Sequence, residues 1–301
     1  MNTMKNVRWK TALLALLAAM IWGMAFAFQR MAVGYVEPFT FNFTRGLLAA
    51  PCLGIFLWLR RRKTRGPVSG DRKRLLLGAV VCGALLFAAS NLQQKGLEGT
   101  EAGKAGFITA LYIVLVPVFG VLFLRKRVSG RLWISVLAAA AGLYLICIRR
   151  GFSLERSDVL VLLCAVVYAA YILAVDHFVK DTDPVTLSCL QFAVSGLLSG
   201  AAAFALETPS WAGIRACLWA ILYVGIFSSA VAYTLQFAAQ RLGEPVTVTL
   251  LLSMESVFSV LGGAILLGET LSLREGIGCA VMLFAVILAQ LPDSLFRQSE
   301  K

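Results

Sequence analysis

Trp22, Phe26 and Gln29 stand at i, i+4 and i+7 of a long apolar run. That spacing is one stripe of a helix, carrying two aromatic faces and one amide. Such a stripe suits reversible binding of a small molecule in a pocket, and it suits close packing between helices equally well. Asn42 and Arg45 share a face in the next run. A guanidinium there can clamp a carboxylate, join a structural ion pair, or snorkel to the outer interface. Similar groups recur along the chain: Asn91 and Gln94, with Ser90 beside them, then Thr109 and Tyr112, Tyr168 and Tyr171, and Tyr233 and Gln236. Together they fit a polar and aromatic cavity, and interhelical hydrogen bonds worth about 0.6 kcal/mol each in membranes offer the plainer account of them. Glu255 lies about ten residues inside another apolar run, where a charged carboxylate is costly. It is the candidate for proton exchange, with a hydrogen bond to a neighbouring helix as the alternative.

This inventory points to recognition, not bond-making chemistry. The chain has a single histidine, His177, beside Asp176, and it lacks HExxH, GxSxG, Walker A and any carboxylate pair spaced for a metal. Neither catalytic residues, a metal site nor a cofactor is therefore expected. Seven cysteines lie in or at the edge of apolar runs without a CxxC pair, which reads as reduced packing residues.

The elements that must position these side chains are membrane helices. Hydrophobic residues make up 59% of the chain, charged residues only 15%, and the mean hydropathy is +0.81, beyond what a soluble domain of this length carries. A bilayer core about 30 Å thick takes roughly 20 apolar residues per helical span. Ten spans are predicted, at 11–31, 39–59, 75–94, 104–124, 132–148, 158–177, 185–206, 213–237, 245–267 and 273–291. The basic N-terminus ahead of the first run could belong to a cleaved signal peptide, but the length of the run and its Trp22-Gly23 interior favour a retained helix.

The net charge of +12 does not indicate nucleic acid, because the lysines and arginines sit at the ends of apolar runs. They set topology instead. Arg60, Arg61, Arg62, Lys63, Arg65, Arg72, Lys73 and Arg74 crowd one connection, and Arg125, Lys126, Arg127 and Arg131 another, which places both connections and both termini in the cytoplasm. The central joint, with Arg149, Arg150 and Arg156, is basic on the side that should face out.

The chain also repeats itself. A shift of 146 carries Trp22 onto Tyr168 and Pro38 onto Pro184, and a shift of 143 carries Asn91-Leu92-Gln93 onto Thr234-Leu235-Gln236 and Val128-Ser129 onto Leu271-Ser272. Five helices per copy is an odd number, so the second copy must enter the membrane inverted. The expected fold is an all-α integral membrane protein of ten transmembrane helices in two inverted five-helix repeats. Residues 11–148 form the first repeat, 149–157 a linker, 158–291 the second repeat and 292–301 a cytoplasmic tail.

Several segments resemble the ten-helix EamA branch of the drug/metabolite transporter superfamily. They are Trp22-Gly23, Asn91 to Leu97, Ala105 to Pro117, Met254 to Phe258, and Leu267 to Ser272. Two positions depart from the family pattern: Arg125-Lys126 stands where Gly-Glu is typical, and Glu255-Ser256 where Glu-Pro is. The resemblance implies a membrane transporter, most commonly an exporter of amino acids or related metabolites.

The composite expectation is a secondary active transporter of small organic metabolites in a bacterial inner membrane, working by alternating access. A channel-like facilitator or lipid-handling protein is the alternative. Its partners would be a small-molecule substrate and the lipid bilayer, with no nucleic acid, and both a monomer and a homodimer are compatible with the sequence.

Overall fold

Lipid offers no partner to an unpaired backbone amide, so a chain this apolar must close its hydrogen bonds within each segment. The computed structural model describes residues 2–63, 71–100, 102–148, 155–267 and 272–291, and every regular element among them is helical. Three uninterrupted helices come first: α1 (Asn2–Ala32), α2 (Pro38–Lys63) and α3 (Arg72–Gly96). The fourth crossing is divided at Leu111 into α4 (Ala102–Ala110) and α5 (Tyr112–Leu122). Next come α6 (Gly130–Cys147), α7 (Arg156–Val179) and α8 (Pro184–Leu206). A short α9 (Trp211–Ala216) precedes the eighth crossing, which runs through α10 (Leu218–Leu222), a π-helical stretch (Tyr223–Ala232) and α11 (Tyr233–Leu242). The ninth is divided at Ser253 and Met254 into α12 (Pro245–Leu252) and α13 (Glu255–Leu267), and α14 (Leu273–Gln290) completes the ten. Among the described residues nine stretches are long and apolar enough to span a bilayer, and the ninth crossing is represented by a shorter apolar helix, Pro245–Leu261.

The eighth crossing sits further along the chain than the predicted 213–237. Cys217 leaves helical geometry at φ −109°, ψ 25°, which separates α9, none of whose residues is buried, from the apolar stretch Leu218–Leu242 that is long enough to span, and Gly243 then extends. Of the predicted joint, residues 149–154 lie outside the described residues, as do 64–70, 268–271 and the tail from 292. Arg156, Ser157 and Asp158 open α7, where Glu155 and Asp158 form a capping box.

Much of the internal repeat is a repeat of helix starts. Ser129 and Ser272, related by the 143-residue shift, are the N-caps of the fifth helix of each half, and each side chain accepts a bond from a first-turn amide. Pro38 and Pro184, related by 146, each open the second helix, where a missing amide hydrogen costs nothing.

The halves interlock. α2 packs on α8, α6 on α14, α3 on α7, and α1 on the eighth crossing, while α1 also meets α13 as α5 meets α7. Exchanging the halves maps this set of contacts onto itself, as a two-fold relation between inverted repeats requires. Small residues allow the closest approaches, as usual between membrane helices. A Cβ on Gly46 would lie 2.7 Å from the Cα of Gly196, and one on Gly142 2.9 Å from the carbonyl oxygen of Gly278. Leu17, Phe56, Leu137, Leu162, Phe204 and Leu283 are among the large apolar side chains left exposed on the outside, where lipid covers them.

Candidate functional site

Both interruptions face the same space. Tyr112 is the first residue of α5 and Glu255 the first of α13, and across the gap between the halves the Tyr112 hydroxyl donates to Glu255 Oε1 at 3.4 Å. Around this contact lies a cavity with about 540 Å³ of empty space, open solvent included. Trp22, Ala25, Phe26 and Gln29 line it from α1, Arg45 from α2, Gln93 from α3, and Thr109 and Tyr112 from the fourth crossing. Tyr168, Tyr171 and Ile172 enter from α7, Ser228, Tyr233 and Gln236 from the eighth crossing, and Leu252 and Glu255 from the ninth.

Tyr233 is the hub of an aromatic cluster on one wall. Its ring packs edge-on against Trp22 at 4.8 Å between centroids, against Phe192 at 5.2 Å and against Tyr171 at 6.2 Å, and its hydroxyl lies 3.3 Å from that of Tyr168. Edge-to-face contacts of this kind fix ring orientation as well as burying area. The π-helical stretch contributes on the same wall: Trp22 Nε1 donates to the Ser228 carbonyl at 3.2 Å, and Arg45 Nε donates to Ser229 Oγ at 2.8 Å. Widened turns of this type recur at functional sites because they free backbone groups and turn side chains. Elsewhere in the lining Gln93 Nε2 donates to Thr109 Oγ1 at 3.3 Å.

Asn42, Asn91 and Gln94, expected in the cavity from their polarity, do not line it. They are buried behind the wall. Asn42 Nδ2 donates to the Pro38 carbonyl (3.1 Å) and to Asn91 Oδ1 (3.0 Å), Asn91 Nδ2 donates to Ser199 Oγ (3.2 Å), and Gln94 Nε2 donates to the Gln29 carbonyl (3.3 Å). Side chains facing a neighbouring helix and side chains facing a cavity follow the same spacing, so the sequence pattern does not separate them. Gln93 and Ser228 line the cavity without having been singled out. Gln93 was within reach, since the 143-residue shift carries it onto Gln236, whereas nothing in the sequence marks the π-helix that turns Ser228 inward.

Twelve of the sixteen lining residues form six pairs related by the repeat. Trp22 corresponds to Tyr168, Ala25 to Tyr171, Phe26 to Ile172, Gln93 to Gln236, Thr109 to Leu252, and Tyr112 to Glu255. The cavity therefore lies on the axis that relates the halves.

That architecture agrees with the relatives of the chain. Residues 9–148 and 156–291 match the EamA-like transporter family. The chain belongs to this family. It is 30% identical over 276 residues to a protein of Archaeoglobus fulgidus named an uncharacterized transporter, covering 91% of this chain and 84% of the relative. It is 27% identical to the inner membrane transporter YedA of Escherichia coli K12, over 92% of this chain and 89% of that one. PagO of Salmonella typhimurium is 27% identical over 76% of each chain. A crystal structure at 19% identity superposes with a TM-score of 0.77 over 97% of this chain and 99% of its own, which shows the fold.

This EamA-like protein is thus a multi-pass membrane transporter. Its two halves are also bridged by charge at both ends of the bundle. At the predicted inner end Arg60 pairs with Asp183 (2.8 Å), Arg74 with Asp181 (2.9 Å) and Lys126 with Asp176 (2.8 Å). At the predicted outer end Lys104 pairs with Asp158 (2.5 Å), and the Glu207 carboxylate accepts the amides of Phe39 (2.8 Å) and Thr40 (2.7 Å) at the start of α2. Among the described residues no group of three or more His, Cys, Asp or Glu is arranged to hold a metal ion.

Proposed function

We propose that the chain is a secondary active transporter that moves small organic metabolites, amino acids or related compounds among them, outward across a bacterial inner membrane by alternating access. The observation that carries this reading is the cavity on the repeat axis, lined by corresponding residues of both halves. Rocking one half against the other about such an axis exposes one site to each side in turn. The repeats are taken as 11–148 and 158–291, joined at 149–157, with both termini cytoplasmic. The work of the cavity is binding and release, not bond-making. Glu255 is the proton-coupling residue, and the substrate contacts come from the lining residues, with Asn42, Asn91 and Gln94 in support behind them. Each chain holds a complete cavity, so a monomer suffices and a homodimer is compatible.

The test is purified protein in liposomes, screened for uptake from a mixed metabolite pool with and without a pH gradient. Saturable uptake and counterflow are expected. Flux that neither saturates nor shows counterflow would replace a transporter cycle by a facilitator or lipid-handling role. In a cysteine-free background, a membrane-impermeant thiol reagent on intact cells should label Thr208→Cys and spare Asp181→Cys, and the reverse would invert the orientation.

A further inference from the structure

The six repeat-related pairs leave four lining residues unmatched, and one of them is charged. Arg45 corresponds to Gln191 under the 146-residue shift, a neutral residue whose Oε1 accepts the Tyr171 hydroxyl at 3.1 Å. The second half thus places a neutral residue at the position of Arg45 and bonds it to α7, so the position itself does not require a cation.

Arg45 is only 4% exposed, well inside the bundle, and among the described residues it pairs with no carboxylate. A buried cation without a counter-charge is expensive and is kept where it meets a partner. Its guanidinium is held from two sides. Nε donates to Ser229 Oγ, itself fixed on the Val224 carbonyl at 2.7 Å, and Nη1 donates to Asn42 Oδ1 at 3.3 Å. Asn42 is in turn held by Asn91. The corresponding pair in the second half, Ser188 and Thr234, makes one hydroxyl contact at 3.1 Å and supports no cation. The first-half network is the larger and holds Arg45, and the Tyr233 ring stands 5.9 Å from its guanidinium carbon.

We propose that Arg45 is the specificity-determining residue of the cavity, binding the carboxylate of an organic acid whose apolar or aromatic body lies against Trp22, Tyr168 and Tyr233. This rests on the transport reading above and narrows its substrates to molecules with one anionic end. A preorganised guanidinium fork matches a planar carboxylate, whereas a neutral amide offers it no charge.

The test follows thermal unfolding of the purified full chain with two acid and amide pairs, phenylacetate with phenylacetamide and indole-3-acetate with indole-3-acetamide, at equal ionic strength. Sodium sulfate serves as an inorganic anion control. The acids are expected to raise the unfolding midpoint of the wild type, and the amides and sulfate to leave it unchanged. Arg45→Gln, which installs the residue of the other half, should weaken acid binding about 30-fold, near the low end for removing one partner of a buried charge pair. Arg45→Lys should retain part of it. Acids without effect on the wild type, amides or sulfate as effective as acids, or an acid preference surviving in Arg45→Gln would each overturn the proposal. Should Arg45→Gln not fold, the discrimination by the wild type and by Arg45→Lys decides it. Acid-selective binding without counterflow in liposomes would remove the transport reading alone, and counterflow indifferent to acid or amide would remove this one alone.

Discussion

Tyr112 and Glu255 occupy corresponding positions of the two halves, related by the 143-residue shift, and they hydrogen-bond to each other across the repeat axis at 3.4 Å. Each begins the second segment of an interrupted crossing, so the same break in the helix turns both side chains into the cavity. One position has become a hydroxyl donor and the other a carboxyl acceptor. An inverted repeat that joins itself through unlike residues places a single carboxyl group at its axis.

If Glu255 carries the coupled proton, Glu255→Gln should abolish uptake driven by a pH gradient and leave substrate counterflow intact. Tyr112→Phe removes only the donor. Counterflow should again survive, while gradient-driven uptake shifts its pH dependence without being lost. Gradient-driven transport by Glu255→Gln at the wild-type rate would reduce the pair to a structural contact.

Trp22-Gly23 has a specific physical meaning in this bundle. A Cβ on Gly23 would lie 2.6 Å from the Glu255 carbonyl oxygen and 2.9 Å from the Ser259 amide nitrogen, so α1 reaches α13 only because residue 23 has no side chain. Gly23→Ala should cost about 1–3 kcal/mol through overpacking against backbone that cannot rotate away. A lowered unfolding midpoint in detergent, together with impaired pH-gradient uptake, is the expected result. An unchanged midpoint would mean that the two helices separate without penalty.

The helices, their number and the inverted repeat were legible because composition, charge and cap residues act locally: Ser129 and Ser272 cap helices whether or not the rest of the chain is known. The interruptions at Leu111 and at Ser253-Met254 were not. Polar residues stand at both, Thr109 and Tyr112 at the first and Ser253, Glu255 and Ser256 at the second, but a polar side chain in an apolar run does not by itself mark a break in the helix. Tyr112 and Glu255 stood out singly as polar groups in lipid, but their pairing was hidden because a tyrosine and a glutamate share no residue type. Asn42 and Arg45 were read as one face, and the structure divides them into a positioning side chain and a cavity side chain. That division depends on where α3 and the π-helical stretch lie, which residue spacing within α2 does not contain.

Asp183 gives the last prediction, at the predicted inner end of the bundle. It caps α8, accepting the Thr186 amide at 2.9 Å and the Thr186 hydroxyl at 2.8 Å, and it pairs with Arg60 of α2 at 2.8 Å. Partial burial disfavours its charge, but the Arg60 guanidinium and the Thr186 hydrogen bonds outweigh that and hold the carboxyl below its ordinary value of 3.8. A carboxyl whose pKa is lowered by folding contributes stability that is fully present above the unfolded value and is lost as the pH falls through the folded one. The link between α2 and α8 should therefore hold from neutral pH down to about 4 and weaken below it. Asp183→Asn keeps a side-chain oxygen that can cap the helix and removes only the charge. It should have a lower midpoint than the wild type at neutral pH, and the gap should close as the pH drops below about 4. Midpoints measured in detergent across that range decide the matter: a gap that stays constant with pH would mean that Asp183 acts through its cap alone.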